Sequence, residues 1–157
     1  MLGYWNKKED TEKVLRDGWL YTGDIGEIDP YDGYLKITDR KKDIIVSAGG
    51  DNISPAKIEN QLSNSPAIDQ SMVYGDGKNY LVAIIVPAKD FKGQKEKISE
   101  IIHEVNKNLT LVEKIKKFHL INEDFSIENG LLTPTMKVKR NKVVAKYKNI
   151  LENFYKK

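Results

Sequence analysis

The run Leu-Val-Ala-Ile-Ile-Val at residues 81–86 constrains this chain more than any other feature. It leaves no polar face and is mostly β-branched, so it predicts a central strand covered on both sides. Even extended through Pro87 it is far too short to cross a bilayer. A strand of this kind needs helices on each side.

The sequence offers those helices. Residues 94–109 place Ile98, Ile101, Ile102, Val105 and Leu109 at helical spacing, with Lys95, Glu96, Lys97, Glu100 and Glu104 outward. A final helix, capped by Asn141, carries Val143, Val144, Tyr147, Ile150, Leu151 and Phe154 on one face. Residues 56–62 form a short helix that Ser63-Asn64-Ser65-Pro66 stops. Residues 68–74 and 118–122 read as further strands, and Thr110 with Glu113 as a capping box opening a helical turn or two. Upstream, residues 9–17 suit a short helix. Strands over 25–29 and 34–38 flank Pro30-Tyr31-Asp32-Gly33, which suits a tight hairpin. The order predicts an α+β fold: a small mixed sheet covered by helices and preceded by a β-hairpin unit.

Between these parts lies Asp39-Arg40-Lys41-Lys42-Asp43-Ile44-Ile45-Val46-Ser47-Ala48-Gly49-Gly50-Asp51-Asn52-Ile53-Ser54-Pro55. Its charges read as an exposed joint, Ile44-Ile45-Val46 as a buried strand, and Gly49-Gly50 as backbone able to approach a ligand closely. Ser54-Pro55 reads as a helix N-cap and first helical residue.

Composition narrows the chemistry. The absence of cysteine excludes disulfides, thiolate metal sites and a cysteine nucleophile. His103 and His119 lie in ordinary amphipathic segments, so no metal site is expected. The N-terminus has no apolar core of signal-peptide length, which makes the cytoplasm the expected compartment, with peripheral membrane association left open. Net charge is +3, yet residues 130–157 alone carry +7. That basic end suits an anionic partner, although a solvated helix face is the plainer reading. Among the lysines and arginines of 137–148 the one aromatic residue, Tyr147, falls on the apolar face, so no nucleic-acid partner is expected.

Individual candidates are weak alone. Asp24, ending Tyr21-Thr22-Gly23-Asp24, offers two acceptor oxygens for a ribose diol, but equally suits a turn aspartate. Arg40 could fork onto ribose, carboxylate or phosphate, or form a surface ion pair. Lys137, in a Pro/Thr loop beside a helix, is a compact charge suited to carboxylate or phosphate. Neither GxxxxGK[ST] nor GxGxxG occurs.

In order and spacing, Tyr21-Thr22-Gly23-Asp24, Asp39-Arg40-Lys41-Lys42-Asp43 and the Ser47 to Pro55 segment resemble the acyl-adenylate-forming superfamily, with Met1-Leu2-Gly3-Tyr4-Trp5 and Trp19 as its usual approach. Leu132-Thr133-Pro134-Thr135-Met136-Lys137-Val138-Lys139-Arg140 is most similar to its long-chain fatty acyl-CoA synthetases; Met136 stands where many relatives have glycine.

The resemblance implies roles. Asp24 binds the ribose of ATP or AMP, with Arg40 assisting. Lys42, or its neighbour Asp39, is the hinge. Gly50 with Gly49 lines the CoA channel, and catalytic Lys137 contacts the fatty acid carboxylate and the α-phosphate. It further implies that residues 1–38 are the last hairpin piece of a large N-terminal domain missing here, and residues 39–157 a mobile lid with its hinge at 39–43. The acyl pocket, the phosphate loop and the Mg2+ site would belong to that larger domain, leaving this chain inactive alone. A lid from an aryl-CoA ligase or an adenylation domain is the nearest alternative. A non-catalytic basic module binding nucleic acid or anionic lipid is a remoter one.

Overall fold

The computed structural model describes residues 1–156 and divides them into two compact units, Met1–Lys42 and Asp43 onward. The first opens with α1 (Lys8–Val14), followed by a two-residue hairpin of β1 (Leu15–Arg16) and β2 (Trp19–Leu20). The helix is shorter than the expected 9–17 because Asp17-Gly18 is a hairpin turn, with φ of 52° and 81°. A longer hairpin follows, β3 (Asp24–Ile28) paired with β4 (Leu35–Arg40). Its turn is held by Asp29 and Asp32, whose Oδ1 atoms accept the Tyr31 and Tyr34 N–H groups at 2.8 and 2.9 Å. None of the described residues 1–42 is buried. Trp5, Trp19, Ile28, Tyr31, Tyr34, Leu35 and Ile37 all stay exposed.

The second unit begins with a small hairpin, β5 (Ile45–Val46) and β6 (Asn52–Ile53). The expected buried strand Ile44-Ile45-Val46 is therefore corrected. Ile45 is buried, but Val46 is exposed, because two residues opposite Asn52 and Ile53 make an edge ladder and nothing more. The chain then enters α2 (Pro55–Ser63), where Ser54 Oγ accepts the Lys57 N–H at 3.3 Å and Pro55 occupies the first turn.

The main sheet is β7 (Ile68–Tyr74), β8 (Leu81–Pro87) and β9 (Ile115–Leu120), with β8 central. The β7–β8 pair is antiparallel. β9 runs parallel to β8 and is reached through α3 (Lys95–Lys107), since a parallel return needs a crossover. β9 starts earlier than the expected 118, where the Asn106 side-chain amide pairs with both backbone groups of Ile115 at 2.9 Å. Thr110 and Glu113 form one turn and no helix. Thr110 N–H and hydroxyl donate to Glu113 Oε2 at 3.0 and 2.8 Å.

Every residue of β8 is buried, and its alternation divides the core. Leu81, Ala83 and Ile85 face one cluster with Ile45, Ile53, Ile58, Leu62, Ile98 and Ile102. Val82, Ile84 and Val86 face the other, with Phe125, Leu131, Leu132, Val143, Tyr147 and Leu151. Each fully buried aliphatic side chain contributes about 2 kcal/mol of transfer free energy. One face is thus covered by α2 and α3, the other by α4 (Arg140–Asn153). Asn141 does not cap α4: the helix starts at Arg140 with Lys139 as N-cap, and Asn141 Oδ1 accepts the neighbouring Lys142 N–H at 2.9 Å.

Candidate functional site

In the first unit the β3–β4 register sets Asp24 opposite Arg40. Arg40 Nε reaches Asp24 Oδ1 at 3.2 Å, and Thr22 Oγ1 accepts the Asp24 N–H at 3.1 Å. The pair is exposed on its outer side, leaving carboxylate oxygens and guanidinium donors for a polyhydroxyl ligand. Asp39 lies within the same ladder, opposite Ile25, and its Oδ1 accepts the Arg40 N–H at 2.7 Å. Gly23 O still holds the Lys41 N–H at 2.8 Å, so the ladder ends there. Lys42, exposed and in a turn, is the last residue of the unit.

Gly49 and Gly50 form the tip of the β5–β6 hairpin in the second unit. Ser47 organises it: Ser47 Oγ donates to Asp51 Oδ2 at 2.9 Å and accepts the Gly49 and Asp51 N–H groups at 3.1 Å. Gly50 N–H donates to Ser47 O at 2.9 Å, with φ at +88°. That left-handed backbone is what requires glycine there, since an added Cβ would meet nothing within 4 Å. Three hydrogen bonds seat the hairpin on the β7–β8 turn. Val46 N–H donates to Asp76 Oδ1 at 3.1 Å, Gly77 N–H to Val46 O at 2.8 Å, and Ala48 N–H to Lys78 O at 3.0 Å. Between them lies a cavity of about 260 Å³ whose lining includes Ser47, Gly49, Asp51, Lys78, Asn79 and Tyr80.

Lys137 sits at the other face of the sheet. The expected irregular loop is a narrow hairpin: Leu132 bridges Val138, and Thr133 N–H donates to Lys137 O at 2.8 Å. Thr133 Oγ1 accepts the Lys137 N–H at 3.0 Å. Met136 turns the corner at φ +61°, a conformation glycine adopts more readily, and both Met136 and Lys137 project into solvent. Leu131 and Leu132 root the base in the α4-side core, whereas Ile45 and Ile53 root the glycine hairpin in the α2/α3-side core. The two segments thus hang from opposite faces of one sheet.

Sequence reasoning missed what fastens the Lys137 hairpin. Arg140, first residue of α4, pairs with Glu59 of α2 and donates from Nη1 to Val73 O at 3.3 Å. Glu59 Oε1 in turn accepts the Val73 N–H at 2.7 Å. Arg140 sits within a basic stretch, and its half-burial against Glu59 is the one feature that sets it apart, which no linear pattern carries. Also missed was the partner of Glu113, read from the sequence only with Thr110: its buried carboxylate pairs with Lys57 of α2. Burial pushes its carboxyl up, but the hydrogen bond from Lys57 Nζ at 2.7 Å, those from Thr110 and the Lys57 charge outweigh this and hold it below its ordinary value.

Among the described residues no group of three or more His, Cys, Asp or Glu side chains could hold a metal ion. No helix among them is long and apolar enough to cross a membrane.

The fold superposes on the adenylation domain of a carboxylate reductase from Mycobacterium chelonae at TM-score 0.88 and 30% identity, covering 98% of this chain and 26% of that one. The corresponding domain from Segniliparus rugosus, solved with AMP and a co-purified carboxylic acid, matches at 0.86 and 28%, covering 98% and 26%. The α+β fold is that of an adenylate-forming enzyme's C-terminal domain. Residues 42–157 match the family described as AMP-binding enzyme C-terminal domain, and the chain belongs to that family. Curated relatives include the long-chain-fatty-acid–CoA ligase FadD15 of Mycobacterium tuberculosis, 39% identical over 99% of this chain, and long-chain-fatty-acid–CoA ligase 5 of Mus musculus, 38% over 98%. The chain spans 29% and 26% of the length of these two relatives.

Proposed function

We propose that this chain works as the C-terminal part of a cytoplasmic long-chain fatty acid–CoA ligase, joined to a larger domain that holds the acyl pocket and the Mg2+ site. The observation that carries this reading is the similarity to long-chain ligases along nearly the whole chain, Lys137 hairpin included. The reaction has two halves. A fatty acid carboxylate attacks the α-phosphorus of ATP, giving acyl-AMP and pyrophosphate. The CoA thiol then attacks the acyl carbon, forming the thioester and releasing AMP and the thiol proton.

In this reading Asp24 and Arg40 hold the ribose diol. Lys137 meets the carboxylate and α-phosphate oxygens as negative charge builds up between them. Gly49 and Gly50 line the path of the CoA thiol, where a side chain would narrow it. Rooting these hairpins in opposite faces of one rigid sheet supports alternation, because one rotation exchanges them at a fixed site. Lys42 suits the pivot better than Asp39, since Asp39 is tied into a ladder and Lys42 lies beyond it.

The test is a panel of acids given to the assembled enzyme with ATP and CoA. Palmitate is expected to outpace benzoate and acetate, and the isolated chain to release no pyrophosphate. Preference for an aryl acid would favour an aryl-CoA ligase as the enzyme to which this chain belongs. Pyrophosphate release by the isolated chain would refute the division of labour.

A further inference from the structure

Phe154 and Tyr155, in the turn that follows α4, grip both arms of the β7–β8 turn. The Tyr155 hydroxyl lies 3.0 Å from Tyr80 O and 3.4 Å from Tyr74 O, and donates to this carbonyl pair. Its ring packs on Tyr80 with centroids 4.9 Å apart, meets Tyr74 edge-on at 6.4 Å, and lies 5.0 Å below Lys78 Nζ. In return, the Phe154 carbonyl accepts from the Tyr80 hydroxyl and from Lys117 Nζ, each at 2.6 Å. Burial raises the Tyr155 hydroxyl far above the ordinary phenol range, so it stays a donor at every physiological pH.

The turn held in this way is the one on which the glycine hairpin rests, through Asp76, Gly77 and Lys78. Lys78 and Tyr80, both in direct contact with Tyr155, also line the cavity beside Gly49. Mechanical support therefore runs from the turn just after α4, through an aromatic stack and a cation over its face, to the glycine loop. Each contact is of modest strength, and together they fix side chains that otherwise swing freely on a turn.

We infer that Tyr155 is a positioning residue for CoA, holding the Lys78–Tyr80 wall and the Gly49–Gly50 loop in register for the thiol's approach. This rests on the reading that the glycine loop guides CoA. It acts on the thioester half-reaction alone, because the Lys137 hairpin is fastened separately through Arg140 and Glu59.

The test compares Tyr155→Ala and Tyr155→Phe in the assembled enzyme. Tyr155→Ala is expected to raise the KM for CoA about tenfold while ATP–pyrophosphate exchange stays within about twofold, and Tyr155→Phe, keeping the stack, to recover most of that. Tyr155→Leu carries the comparison if the alanine variant does not fold. Hydrogen exchange read on the same proteins is expected to accelerate at Val46, Ala48 and Gly50 and not in β8. Unchanged exchange at these amides, or equal loss in both half-reactions, overturns the inference. Faster exchange with an unchanged KM for CoA overturns instead the assignment of this loop to CoA.

Discussion

Replacing Arg140 with methionine removes a guanidinium but keeps much of its apolar stem, so it isolates the polar contribution of one anchor. Arg140 joins α4 to Glu59 of α2 and to the Val73 carbonyl of β7, with side-chain exposures of 22% and 17% for the ion pair. Breaking a fully buried pair costs about 3–5 kcal/mol, because the surviving charge stays desolvated. Water reaches part of this pair, so about 2 kcal/mol is expected, including the donor lost to Val73 O. For a protein of this size that is a fall in Tm of roughly 4–8 °C. Removing both charges with Glu59→Leu/Arg140→Met should recover part of the loss, giving a coupling of about 1–2 kcal/mol in a double-mutant cycle. Urea unfolding of the four proteins reads these values. A single-variant loss below about 0.5 kcal/mol, with no coupling, would refute the claim that this pair anchors the Lys137 hairpin.

Other outcomes follow from local geometry. Asp24→Asn should weaken ATP binding by the assembled enzyme several-fold yet leave stability within about 0.5 kcal/mol, because its pair with Arg40 is exposed; isothermal titration and a melting curve separate the two. Gly50→Ala should destabilise by about 1 kcal/mol through its positive φ and not through a clash, and Met136→Gly should be neutral or stabilising by up to about 1 kcal/mol. A loss on Met136→Gly in urea unfolding would contradict the strain assigned there. Glu113 is held below the ordinary glutamate value of 4.5, so its contribution is fully present above that pH and is lost as pH falls through its lower folded-state value. Glu113→Gln should therefore flatten the fall in stability on the acid side of pH 4.5, and an unchanged slope would remove Glu113 from that role.

Patterns that depend on one element were readable from the sequence. Residues 81–86 announced a strand buried on both faces because no polar side chain interrupts them, and Ser54-Pro55 announced a helix start because hydroxyl and ring act locally. Reading failed where distant partners decide. Ile44-Ile45-Val46 looks like a core strand, yet only a two-residue partner across the glycine tip is available to it. Asn141 looks like a cap, but its side chain accepts only the neighbouring Lys142 N–H, and the helix starts at Arg140. Among the candidate residues, the Asp24–Arg40 register and the glycine tip were foreshadowed by motif order. The hairpin that presents Lys137 was not, because its ladder is a single bridge turned by a methionine in a left-handed conformation.

If the Lys137 hairpin serves adenylation and the glycine hairpin thioester formation, as proposed, Lys137→Ala in the assembled enzyme separates the two half-reactions. Removing a charge that meets developing negative charge is expected to slow acyl-AMP formation by about 10²–10³. Thioester formation from supplied acyl-AMP and CoA should stay within about threefold, because the proposed mechanism gives this lysine no part in that step. Equal loss in both halves, or loss confined to the thioester step, would contradict the account.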